Sequence, residues 1–120
     1  MDMQNADAQI EQLEISMEQA KDIIGLADSL VDLAKNKDFK RVITEGYFIN
    51  EASRLVLAKA TPAMSTDSIQ KDIDNAIIGI GYLQKHFNSI IGMGNMARKS
   101  LQEAEQTREE ILGEVAGREH

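Results

Sequence analysis

The sequence has no cysteine, no tryptophan and a single proline, Pro62, in 120 residues. The absence of cysteine excludes disulfide frameworks, thiolate metal sites and thiol nucleophiles, and it is compatible with a reducing compartment. Basic residues are also few, 13 against 20 acidic ones, which gives a formal net charge of -7. Because phosphates and anionic lipids repel such a chain over a Debye length of about 8 Å, we do not expect nucleic acid as a partner.

Long apolar runs are missing as well. No stretch approaches the roughly 20 apolar residues that span a bilayer, and the N-terminus lacks the positive and apolar regions of a secretory signal. Hydrophobic residues make up 42% and charged residues 28% of the chain. This composition and length indicate one soluble, folded domain that covers residues 1–120 and does not enter a membrane.

The first predicted helix, about 7–35, has small and apolar residues alternately three and four positions apart, the pattern of a heptad seam. Asn36 either ends this helix in the left-handed conformation or caps the next one, and Asp38 suits a first turn. The seam positions are Ile10, Leu13, Met17, Ala20, Ile24, Ala27, Val31 and Ala34.

The second predicted helix, about 38–60, is apolar on more than one side. Such a helix is expected to be sandwiched between neighbours. Pro62 ends it, and Asp67 with Gln70 forms a plausible capping box, with Ser65 and Thr66 as competing caps. One stripe comprises Phe39, Val42, Ile49 and Val56, and the other comprises Ile43, Tyr47, Phe48, Ala52 and Leu55.

The third predicted helix, about 67–116, contains GMGNMA, which matches the G-x-G-x-x-A fingerprint of dinucleotide-binding folds. That fingerprint requires a preceding strand and a βαβ unit, and no segment here resembles a strand. The alternation of seam positions instead continues from Ile73 to Val115 across the glycines. Gly79, Gly81, Gly92 and Gly94 are therefore expected inside a helix, where they serve close packing, a bend or a hinge.

The three helices differ in length, about 42, 33 and 70 Å. We therefore predict an all-α fold, a helical hairpin plus one long C-terminal helix with coiled-coil-like packing. The two shorter helices are expected to cover the first half of the third, so its distal part, from Ala97, projects and binds another chain. A homo-oligomer follows from this expectation. The interface candidates are Phe48, Leu55, Val56, Ile90, Gly94, Leu101, Ile111 and Val115.

The residues of ordinary catalytic and metal sites are scarce. His86 and His120 are the only histidines, and no histidine–glutamate metal motif, calcium loop or nucleophile elbow is present. Glu51 and Arg54 are spaced for an ion pair on the helix surface. We therefore predict no catalytic, cofactor or metal site and no enzymatic activity.

One basic cluster surrounds Asp38 at the first turn. Lysines near a helix C-terminus and in a loop are ordinary and solvated, but such a tip could also dock on an acidic partner or nucleic acid. Its members are Lys35, Lys37, Lys40 and Arg41.

Three segments, NKDFKRVITEGYFINEASRLVLAKATPAM, DIDNAIIGIGYLQKHFNSIIGMGNMA and EAEQTREEIL, resemble small helical proteins encoded among the structural genes of tailed bacteriophages. The likeness extends from about Ile15 to Leu112. It implies a virion-associated or head and neck assembly protein, located in the virion or the host cytoplasm, with capsid, portal or neck proteins as partners. The alternative is a non-structural phage binding module, either a host-defence inhibitor or a small-molecule sponge with a cavity lined by Tyr47, Tyr82 or the glycines.

Overall fold

The computed structural model describes residues 3–118, and their regular structure is helical. Helix α1 spans Met3–Lys35, helix α2 spans 37–59, and helix α3 spans Asp67–Arg118. A short 3₁₀ turn, Pro62–Met64, lies between α2 and α3. The predicted all-α fold of three helices with one long C-terminal helix is confirmed.

The junction between α1 and α2 is a single residue, Asn36, in extended conformation with φ -65° and ψ 132°. Its Oδ1 accepts hydrogen bonds from the backbone N–H groups of Asp38 at 2.9 Å and Phe39 at 3.0 Å. Asn36 therefore caps the second helix, and the left-handed alternative does not occur. Asp38 occupies the first turn, where a negative charge favours the helix dipole.

Gln70 secures the second turn. Its Nε2 donates to the carbonyl oxygens of Lys59 at 3.1 Å and Met64 at 2.8 Å, which the ends of helical segments leave unpaired. The cap of α3 is Thr66, whose Oγ1 accepts from the N–H of Ile69. Gln70 thus hydrogen bonds to the turn that precedes α3. In a capping box, its side chain would instead accept a hydrogen bond from the backbone N–H of the residue that caps α3.

We expect Gln70→Ala to lower the free energy of unfolding by about 1–2 kcal/mol, because two hydrogen bonds to backbone carbonyls are lost. Urea denaturation followed by circular dichroism measures this change. Gln84→Ala, an exposed glutamine in the same helix, is the control and should stay within about 0.5 kcal/mol of wild type. Equal stabilities for the two variants would contradict this role of Gln70.

Helix α2 departs from α-helical geometry in its middle. Lys37–Phe39 and Ala52–Lys59 are α-helical, but Lys40–Glu51 form a π-helix with i→i+5 hydrogen bonding. At Gly46, a Cβ atom would lie 2.6 Å from the carbonyl oxygen of Arg41, five residues earlier. The sequence pattern predicted a helix here but not its wider winding.

The chain divides into two compact units, unit 1 with residues 3–28 and 90–118, and unit 2 with residues 29–89. In unit 1, α1 runs antiparallel to the end of α3. Gly94 lies so close to Ala27 that an added Cβ would be 2.4 Å from the Ala27 Cβ, and Arg98 pairs with Asp28. The buried apolar residues of unit 1 are Ala6, Met17, Ala20, Ala27, Ala97 and Ile111.

This packing corrects one prediction. The distal part of α3 does not lack a partner within the chain, because α1 lies along it. The predicted seam of α1 is buried or half-buried from Ile10 to Ala27, whereas Val31 and Ala34 are exposed. The seam of α3 is likewise covered at nearly every predicted position, with Ala76 as an exposed exception. The length of α3 therefore does not require a partner chain.

Unit 2 has its own small core of Leu55, Ile73 and Ile80, with Tyr47 and Phe48 packed against it. Phe87 contacts two aromatic rings of α2, with centroids 6.1 Å from Phe39 and 5.9 Å from Phe48. Lys59 Nζ lies 2.5 Å from Asp74 Oδ1. Helix α2 is not sandwiched as predicted, since Val42, Ile49 and Val56 remain exposed.

Candidate protein-binding surface

The described residues form a thin core and leave much apolar surface uncovered. Nine apolar residues are buried, whereas fifteen large ones are exposed. The exposed apolar residues occur in both units, for example Met93 and Met96 in unit 1 and Val56 and Leu57 in unit 2. Contact with another chain would remove this apolar surface from water, which favours association.

Unit 1 concentrates part of this surface on one flank of its helix pair. Two grooves, of about 330 and 470 Å³, lie between α1 and α3. Met93 and Met96 line the first groove and are 50% and 72% exposed. We call the residues that line both grooves the uncharged strip: Ala8, Gln9, Gln12, Leu13, Ser16, Gln19, Ala20, Ile23, Met93, Met96, Ala97, Ser100, Thr107 and Ile111.

None of these fourteen side chains is charged, although the surrounding sequence is strongly acidic. Residues 1–28 and 90–120 contain 13 acidic and 5 basic side chains, a net charge of -8. With 3.6 residues per turn, Glu11, Glu14 and Glu18 project from the opposite side of α1. Depletion of charge and enrichment of methionine are typical of the centre of a protein interface.

Most predicted interface residues serve the chain's own packing. Leu55 and Ile111 are buried and Gly94 approaches Ala27 closely, so these three residues contribute to packing within the chain. Four more are half-buried, and one, Val56, is exposed beside the similarly exposed Leu57. The half-buried residues are Phe48, Ile90, Leu101 and Val115.

The glycines lie within α3, as predicted, and not in a phosphate-binding loop. Close packing accounts for Gly94 alone among the four predicted positions. A Cβ atom added at Gly79, Gly81 or Gly92 would meet nothing within 4 Å. Tyr82, proposed as a cavity residue, is two-thirds exposed.

The structure brings most of the basic tip together. Lys37, Lys40 and Arg41 surround a surface depression of about 550 Å³, but Asp38 and Glu45 line it as well. The two carboxylates offset most of the positive charge, and Lys35 is not part of the lining. Such a mixed surface is weaker support for anion binding than the four basic residues suggested in sequence.

The predicted ion pair of Glu51 and Arg54 is present, with Arg54 Nε donating to Glu51 Oε2 at 2.9 Å. This hydrogen bond lowers the pKa of Glu51 and raises the pKa of Arg54. Both side chains are in contact with solvent, so the pair is a local feature of the helix surface. In residues 3–118, no three histidine, aspartate or glutamate side chains are grouped to hold a metal ion.

Comparison with protein-family models, curated proteins and solved structures gives no match to this chain. Among the described residues, no helix has both the length and the apolar character needed to cross a membrane. The exposed apolar surface, above all the uncharged strip, is therefore the feature of the described residues that points to a function.

Proposed function

We propose that this protein is an assembly component of a tailed-phage particle, acting through helix-mediated contacts in a homo-oligomer. The observation that carries the proposal is the exposed apolar surface, with fifteen large side chains uncovered on units whose cores are small. A protein interface removes such surface from water at roughly 25 cal/mol per Å² of apolar area. The sequence resemblance to products of phage structural genes supplies the particle as its context.

In this function the helices hold in place the side chains that contact other chains. The capsid, portal or neck would present apolar helices or grooves to the exposed residues of α2, such as Val56 and Leu57. The acidic side chains keep the remaining surface soluble and away from packaged DNA. No step of this role requires a cofactor or a reaction.

We expect the protein to be present in purified particles, or in purified head or neck intermediates, at a fixed number of copies. Quantitative mass spectrometry relative to the main capsid protein measures that number, and particles washed in high salt control for adsorbed protein. If the protein is absent from all these preparations, the assembly role is wrong. Enrichment with a host protein or a nucleotide would instead favour the non-structural binding module.

A further inference from the structure

We propose that residues 40–51 form a winding switch, a segment that Phe87 holds as a π-helix and that rewinds into an α-helix when its contacts with Phe87 are lost. The switch lies within unit 2 and would exist whether or not the protein belongs to a phage particle. Lys40–Glu51 comprise 12 residues, whereas a π-helix is ordinarily a single turn inserted in an α-helix. A π-helix of this length needs contacts that hold it.

The buried side of α2 follows the winding of a π-helix. The half-buried residues include Phe39, Ile43, Phe48 and Ala52, which are four, five and four positions apart. This spacing matches the roughly 4.4 residues per turn of a π-helix and not the roughly 3.6 of an α-helix. The packing of α2 in unit 2 therefore depends on how the segment is wound.

Phe87 of α3 contacts this winding at two points. Its ring centroid lies 6.1 Å from that of Phe39 and 5.9 Å from that of Phe48. The nine positions between Phe39 and Phe48 are about two full turns of a π-helix but about two and a half turns of an α-helix. In an α-helix the two rings would project from opposite sides, and one ring could not contact both. The double contact of Phe87 therefore selects the π-helix.

Gly46 is the residue that permits the π-helix. A Cβ atom at this position would lie 2.6 Å from the carbonyl oxygen of Arg41. Because that oxygen belongs to the backbone, it cannot move away without a change in the helix itself. Alanine at position 46 is therefore incompatible with the π-helix, although alanine is the most favourable residue of an α-helix.

The sequence also fits the α-helix that loss of the Phe87 contacts would produce. Val42, Ile49 and Val56 are seven positions apart and share one face of an α-helix, but in the structure they are 63%, 57% and 57% exposed. Rewinding would turn the two ends of α2 relative to each other by roughly half a turn. Phe39 and Leu55 could then not both keep their contacts with α3, so the segment has two discrete arrangements.

The test is NMR spectroscopy of the isotope-labelled full chain, with scalar couplings across hydrogen bonds that identify the carbonyl paired with each N–H. A π-helix pairs the N–H of Phe48 with the carbonyl of Ile43, five residues earlier, whereas an α-helix pairs it with that of Thr44. We expect the five-residue pattern through residues 45–51 of the wild-type chain.

Two variants should replace this pattern with four-residue pairing. Gly46→Ala adds the Cβ atom that the π-helix excludes, and Phe87→Ala removes both ring contacts. Gly79→Ala is the control, because its Cβ atom would meet nothing within 4 Å, and it should keep the wild-type pattern. Four-residue pairing in the wild-type chain, or five-residue pairing retained in Gly46→Ala or Phe87→Ala, overturns the switch. Loss of helix content in Gly46→Ala, measured by circular dichroism, also overturns it, because the segment then has no α-helical alternative.

Discussion

Replacement of Leu55 with alanine is expected to lower the free energy of unfolding by about 2–4 kcal/mol. Leu55 is 6% exposed and packs with Ile73 and Ile80 in the core of unit 2. Truncation removes apolar contacts and leaves a cavity that a thin helical core can close only in part. Urea denaturation, followed by circular dichroism, provides the measurement.

The natural control lies two residues away in the same helix. Leu57 is 71% exposed, so Leu57→Ala makes the same chemical change while removing few contacts, and its effect should stay below about 0.5 kcal/mol. A loss of stability shared equally by the two variants would show that the Leu55 core does not stabilise unit 2 as described. The measurement belongs at low protein concentration, where association contributes little.

The second large effect is expected at Gly94. A Cβ atom there would lie 2.4 Å from the Ala27 Cβ, so Gly94→Ala forces α1 and α3 apart and lowers the free energy of unfolding by about 1–3 kcal/mol. Alanine is otherwise the better helix residue by about 1 kcal/mol. The free energy of unfolding therefore falls only if the steric cost at Ala27 exceeds this gain in helix propensity.

Gly92→Ala should have the opposite sign. Its Cβ atom would meet nothing within 4 Å, so the variant is expected to gain about 0.5–1 kcal/mol from helix propensity alone. A double-mutant cycle with Ala27→Gly isolates the contact, because removing the opposing Cβ should relieve much of the Gly94→Ala penalty. If Gly94→Ala stabilises the chain as much as Gly92→Ala does, the close approach at Ala27 is wrong.

The sequence was sufficient to predict the helices and the positions that face a neighbour. The spacing from Ile10 to Ala27 and from Ile80 to Val115 follows directly from helical periodicity, and these positions are buried or half-buried. The sequence did not show whether the neighbour of each seam belongs to the same chain or to another one. A seam specifies only that an apolar surface must be covered, and both a second chain and the chain's own α1 satisfy that requirement.

The winding of α2 shows another limit of periodicity. Val42 and Ile49 are seven residues apart, a spacing that places two side chains on one face of an α-helix. In the π-helical segment each residue turns the chain through a smaller angle, so the same spacing separates the two side chains around the axis. The stripe predicted from α-helical geometry therefore does not exist as one surface.

The uncharged strip was missed for a related reason. Many of its members lie beside the seam positions of α1 and α3. Such residues line a groove only when the two helices pack side by side. A signal was nevertheless present: Gln12, Ser16, Gln19 and Ile23 form an uncharged row beside the α1 seam in a segment otherwise rich in carboxylates. Only the antiparallel pairing with α3 brings Met93 and Met96 alongside that row.

The chain reversal at 60–66 also sets an order of events during synthesis. In unit 2, partners such as Lys59 and Asp74 are 15 residues apart and can meet soon after they leave the ribosome. In unit 1, Asp28 must wait for Arg98, 70 residues later, and the first residues of α1 must wait for the last turns of α3. The apolar seam of α1 thus remains without its cover until the second half of α3 has been synthesised, and during that interval the nascent first helix is open to premature association.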